Sequence, residues 1–105
     1  MMRERGISMT DGLYAALKQA AEESGRTVQA VVSDVLDRYL RTEPRSIDFT
    51  ARFGGRKTPR MVRVDDWLYS QVEAVAHRKG VSVSRALELG YELAKKSDWI
   101  AEDNA

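Results

Sequence analysis

An internal repeat restricts this chain more than any other feature. Displaced by 55 residues, the segment ISMTDGLY at 7–14 falls on VRVDDWLY at 62–69 without a gap. The same frame aligns Ala21 with Ala76, Gly25 with Gly80 and Val28 with Val83. Identity is sparse. What repeats is an order of signals: a short alternating segment, a polar cap, an amphipathic helix, a glycine, a second cap and a second helix.

Each half yields the same three elements. In residues 6–9 and 61–64, Ile7, Met9, Val62 and Val64 share one face by the strand period of two, and Gly6, Ser8, Met61 and Arg63 share the other. Thr10 and Asp65 then stand where a helix N-cap accepts hydrogen bonds from free amides. The first helices are expected over 11–24 and 66–79, with apolar stripes of Leu13, Leu17, Ala20 and Ala21 in one and Leu68, Val72, Val75 and Ala76 in the other. Gly25 and Gly80 suit the left-handed residue that ends a helix, and Thr27 and Ser82 suit the cap of the next. The second helices are expected to bury Val28, Val31, Val32, Val35, Leu36 and Tyr39, and Val83, Ala86, Leu87, Gly90, Tyr91 and Ala94. Three/four spacing favours helix over strand for the valine-rich run at 28–35, despite its mediocre propensity.

The expected organisation is a first repeat at 1–40, a linker at 41–60, a second repeat at 61–96 and an acidic tail at 97–105. The linker holds both prolines (Pro44, Pro59) and Gly54-Gly55, and its twenty residues extend to about 66 Å, enough to return the chain to the start of a second strand. Ile47, Phe49 and Phe53 suggest that part of it packs on the domain. One strand with two short helices can neither satisfy its edge amides nor cover its apolar face, so the unit needs a second copy. The expected fold is mostly helical with one two-stranded antiparallel ribbon, whose outer face is left bare. Such a ribbon fits the major groove of B-DNA.

Composition narrows the remaining classes. With no cysteine and one histidine, His77, neither a disulfide framework nor a familiar zinc site is expected. No apolar run approaches the ~20 residues of a membrane span, and the first residues lack the apolar core of a signal peptide, so a cytoplasmic protein without membrane contact is expected. The net charge of +1 hides a segregation. Residues 52–63 hold five bases (Arg52, Arg56, Lys57, Arg60, Arg63) and no acid, and 97–105 hold three acids (Asp98, Glu102, Asp103) and no base. A mid-chain basic cluster is a plausible footprint for phosphate, and a short basic loop is also often merely solvated.

These motifs, ISMT at 7–10 with the Gly25-Arg26-Thr27 turn, and VRVD at 62–65 with Gly80-Val81-Ser82, resemble the ribbon-helix-helix (MetJ/Arc/CopG) family of DNA-binding proteins in a tandem, single-chain form. The resemblance covers about residues 4–40 and 59–95. It implies a pseudo-dimer that binds double-stranded DNA in sequence-specific fashion as a transcriptional regulator, with no cofactor. Base reading then falls to the outward strand residues Gly6, Ser8, Met61 and Arg63. Phosphate contact falls to the second-helix N-termini, Thr27 and Val28, and Ser82, Val83 and Ser84, with Arg3, Arg5, Arg56, Lys57 and Arg60 adding charge. Outward Glu4, Gly6 and Pro59 depart from the family's polar or basic readers, which leaves Ser8 and Arg63 as hydrogen-bonding readers and Met61 for a thymine methyl.

Plainer roles stand beside these. Arg63 would otherwise be an exposed strand arginine, and Arg5 and Arg60 have inward parity, so they are either phosphate contacts or strand-end residues snorkelling outward. Thr27 and Ser82 are explicable as caps, Tyr14, Trp67 and Tyr69 as packing residues, and His77 as a solvated helix residue. No nucleotide-binding glycine loop, nucleophile elbow or triad is present, and no enzyme activity is expected. The alternative function is a protein-interaction module of the same fold, an antitoxin or a conjugation or partition adaptor holding a protein partner. Only about ten residues follow the last expected helix, whereas antitoxins usually carry a longer extension. Self-association into dimers of pseudo-dimers is compatible with either reading.

Overall fold

The computed structural model describes residues 2–44 and 53–96, the side chain of Lys96 apart. The chain is mostly helical, with four helices and one two-stranded antiparallel sheet. In order these are β1 (Met2–Thr10), α1 (Asp11–Ser24), α2 (Val28–Thr42), β2 (Lys57–Asp65), α3 (Asp66–Arg78) and α4 (Val83–Lys96).

Local chemistry sets the boundaries. Thr10 Oγ1 accepts from the Leu13 amide at 3.2 Å, and Asp65 Oδ2 from the Leu68 amide at 3.2 Å, so each strand ends on the side chain that starts the next helix. Gly25 and Gly80 lie in the left-handed region at φ 68° and 73°, as the sequence predicts, and a Cβ at either would meet nothing within 4 Å. Their requirement is therefore conformational. Thr27 and Ser82 cap the second helices through the amides of Ala30 and Arg85.

The strands are longer than the alternating segments predict, nine residues each instead of four. β2 begins at Lys57, inside the span expected to be linker. The register explains why Pro59 does not stop it. The Arg63 amide donates outward to Gln29 Oε1 at 3.0 Å, away from β1. Pro59 has the same parity, so its missing N–H removes nothing from the ladder.

Ile7, Met9, Val62 and Val64 lie under the helices, fully or almost fully buried, and join one core with the expected residues of all four helices. Val28 and Val83 are only partly buried against it, and Leu89 and Glu88 are buried where the sequence reading named neither. α2 packs on β2 and α3 as well as on α4, and α4 packs on β1, so the two halves of the chain interleave. At the α2–α4 crossing, a Cβ on Gly90 would lie 2.6 Å from the Val35 carbonyl oxygen. Only a residue without one permits that approach.

The end of the linker packs on the domain. The amides of Asp11 and Gly12 donate to the carbonyls of Arg56 (3.0 Å) and Gly54 (2.8 Å), which satisfies two free donors at the start of α1. Phe53 meets Tyr91 edge-on, ring centres 5.6 Å apart. Ile47 and Phe49, expected to pack with it, lie outside the described residues, as do Arg52 and the acidic tail. No described helix is long and apolar enough to cross a membrane.

Candidate nucleic-acid interface

The alternation that buries one side of the ribbon strips the other. Glu4 pairs with Arg63, Gly6 with Met61 and Ser8 with Pro59, and all six residues face away from the helices. Glu4, Gly6, Pro59, Met61 and Arg63 are exposed, Met61 at 65%, and Ser8 is half-buried. Because the Arg63 amide points outward, the Glu4–Arg63 pair is of the non-hydrogen-bonded kind, in which facing side chains come closest. A carboxylate and a guanidinium thus share one end of the outer face. The other end carries a hydroxyl and a proline. The Met61 side chain lies over Gly6, its sulfur 3.6 Å from where a Gly6 Cβ would stand.

The second-helix N-termini differ from each other. Thr27 and Ser82 are exposed, and their hydroxyls are engaged as caps at 3.1 and 3.0 Å. Val28 and Val83 are packed against the core and offer only backbone amides. Gln29, the second residue of α2, fastens that terminus to the strand at Arg63. Its counterpart 55 residues on is Ser84, which is buried at the start of α4. There Thr10, Phe53, Lys57, Ser82, Arg85 and Glu88 help line an open cleft of about 510 Å³. Arg85 and Glu88 form an ion pair at 3.2 Å with both side chains about nine-tenths buried. The positions that correspond in α2 are Ala30 and Ser33, neither of which carries a charge.

The arginines proposed for phosphate separate into two groups. Arg56 and Lys57 are exposed, and Arg3 is 64% exposed with Asp66 3.9 Å away. Arg5 and Arg60 are held inside the fold. Arg5 donates to Asp66 Oδ1 at 2.9 Å with its guanidinium 4.6 Å from the Tyr69 ring centre. Arg60 donates to Asp11 Oδ1 at 3.1 Å and lies 3.9 Å from the Tyr14 ring centre. Each arginine reaches from the strand of one half to the first helical turn of the other, where the acid also complements the helix dipole. Tyr14 and Tyr69 accordingly pack, whereas Trp67 is 64% exposed beside α3's start. At the corresponding place on α1 stands Gly12, and the linker occupies the space a side chain would take: a Cβ there would lie 2.7 Å from the Gly54 oxygen.

Sequence reasoning missed Gln29, which nothing in its spacing marks, and the Arg85–Glu88 pair, whose i,i+3 separation on an expected helix could have found it. It also missed the two clamps, although Arg5/Arg60, Asp11/Asp66 and Tyr14/Tyr69 all recur at the repeat offset. Among the described residues no three His, Cys, Asp or Glu side chains gather as a metal site would require, and His77 is exposed. No family model, no curated protein and no solved structure matches this chain.

Proposed function

We propose that the chain is a tandem ribbon-helix-helix protein that binds double-stranded DNA by laying its ribbon in the major groove, as a transcriptional regulator. The observation that carries the reading is the ribbon itself: nine residues per strand, apolar under four helices on one face and bare on the other. A free two-stranded ribbon with a solvated face has the width of the major groove, where side chains reach base edges. The tandem reading draws on two contacts. Gly6 is opposite Met61, and Gly90 packs on Val35; each residue meets the one 55 positions away, as residues on a local two-fold axis must.

In this reading the outer strand residues contact bases, and the N-termini of α2 and α4 present amides and positive dipole ends to the phosphates on either side. Arg3, Arg56 and Lys57 add charge that follows the backbone without reading sequence. Arg5 and Arg60 hold the halves together. The test is the salt dependence of binding to duplex DNA. Replacing Arg56 and Lys57 by alanine should weaken binding to every sequence, and each lost phosphate contact should reduce the slope of log affinity against log salt by about 0.9. A protein that retains no duplex DNA at low salt would refute the function, and an unchanged slope would remove these two residues from it.

A further inference from the structure

We propose that the DNA site is asymmetric, with base reading concentrated at the end of the ribbon where Glu4 and Arg63 face each other, and that Glu4 is a specificity-determining residue there that selects a cytosine. The inference rests on the DNA-binding reading above and deepens it. Its starting point is the register. Taken alone, an outward glutamate is a liability against a phosphate backbone. Directly across from Arg63 in a non-hydrogen-bonded pair, it lies on the groove-facing surface beside the only outward residue on either strand at 4, 6, 8, 59, 61 and 63 with several donors.

The chemistry of the two side chains is complementary, and so is that of a G·C pair. In the major groove guanine offers two acceptors, O6 and N7, which a guanidinium fork meets together, and cytosine offers the N4 amino donor, which a carboxylate accepts. An ionised carboxylate has no donor, so it opposes the O4 of thymine and the O6 and N7 of guanine at the same place. Arg63 and Glu4 therefore read one G·C pair, or two neighbouring ones, from facing strands. Arg63 is also fixed in height, because Gln29 ties its backbone to the N-terminus of α2. The helix that grips the phosphate and the strand that reads the base move as one piece.

Across the local two-fold the same positions are Ser8 and Pro59. Pro59 has no hydrogen-bonding side chain, Ser8 is half-buried, and the residue equivalent to Gln29 is the buried Ser84. Lys57, outward and paired with Thr10 beyond them, adds a point charge that follows the backbone, and Ser8 and Pro59 themselves have little with which to tell one base from another. Between the ends, Met61 over Gly6 presents a thioether to the middle of the site.

Selection of bound sequences from a random duplex pool, run on the full chain and on Glu4→Gln, Arg63→Ala and Ser8→Ala, tests the proposal. The expected motif is off-centre, with a guanine and a cytosine among its most constrained positions. Arg63→Ala should lower the preference for that guanine by roughly 5- to 150-fold. Glu4→Gln should change the preference at the same or the adjacent position, towards adenine, whose N6 and N7 an amide can meet, while binding to random DNA stays equal or rises. Ser8→Ala should leave the motif as it is. A palindromic motif constrained equally in both halves, or one that Glu4→Gln leaves unaltered, overturns the proposal while the DNA-binding reading stands. Failure of the wild-type chain to enrich or retain any duplex at low salt overturns both. Thermal melts of the three variants separate loss of reading from loss of fold.

Discussion

At the scale of single residues, the clearest result is the use of arginine. Arg5 and Arg60 face inward, each with an aspartate of the other half within 3.1 Å and a tyrosine ring beneath it. About 30% of each arginine side chain is exposed, so solvent screens the pair only in part. A double-mutant cycle of Arg5→Met and Asp66→Asn should give a coupling of about 1 kcal/mol, and Arg5→Met alone should lower Tm by about 4–8 °C. Arg5→Lys should not restore it, because a point charge replaces neither the fork nor the stacked plane. If instead Tm is unchanged and the salt slope of DNA binding falls, Arg5 is a phosphate contact after all. These clamps were within reach of the sequence, since the three residue types recur at one offset and a residue shared by two otherwise diverged copies is a candidate for contact between them. Gln29 was not: its counterpart is serine, and only the fold shows that an amide at the start of α2 lies beside a strand 34 residues away.

At the scale of elements, the caps and glycines were readable because their chemistry is local. Thr10, Asp65, Thr27 and Ser82 each satisfy an amide three residues ahead, whatever surrounds them. Strand length was harder, because it depends on a partner: Pro59 breaks an isolated pattern, yet its nitrogen falls where the ladder needs no donor. The α2–α4 crossing is likewise a property of two elements. Glycine in mid-helix costs about 1 kcal/mol relative to alanine, and Gly90 sits there because a Cβ would lie 2.6 Å from the Val35 oxygen and 2.8 Å from Val35 Cγ1. Gly90→Ala should therefore destabilise despite its better propensity, by about 1–3 kcal/mol in urea unfolding. Adding Val35→Ala should recover part of this, since it removes the methyl contact and leaves the carbonyl one. A Gly90→Ala protein more stable than the wild type would show that the crossing is not close-packed.

At the scale of the whole molecule, two places where a residue meets its own counterpart set small against large: Gly6 with Met61, and Gly90 with Val35. A homodimer would have to place identical residues at those points. Two copies of the first half would set Val35 against Val35, where only a residue without a Cβ fits now, and leave Gly6 facing Gly6. Two copies of the second half would set Met61 against Met61 and leave a void between two Gly90 residues. The clamps do not discriminate in this way, because arginine, aspartate and tyrosine are the same in both halves, so the preference for unlike pairing rests on packing. Fragments 1–44 and 53–105, expressed separately, should each show low helicity or weak self-association, because each strand alone exposes both its edge and its apolar face. Mixed in equal amounts they should form a one-to-one complex with helicity close to that of the intact chain, as followed by circular dichroism and sedimentation. Overpacking and an unfilled cavity each carry penalties of about 1–3 kcal/mol or more, so the mixed complex should outlast either homodimer by at least tenfold in dissociation constant. If fragment 1–44 alone forms a homodimer as stable as the mixture, the unlike pairs at the local two-fold do not govern which halves associate.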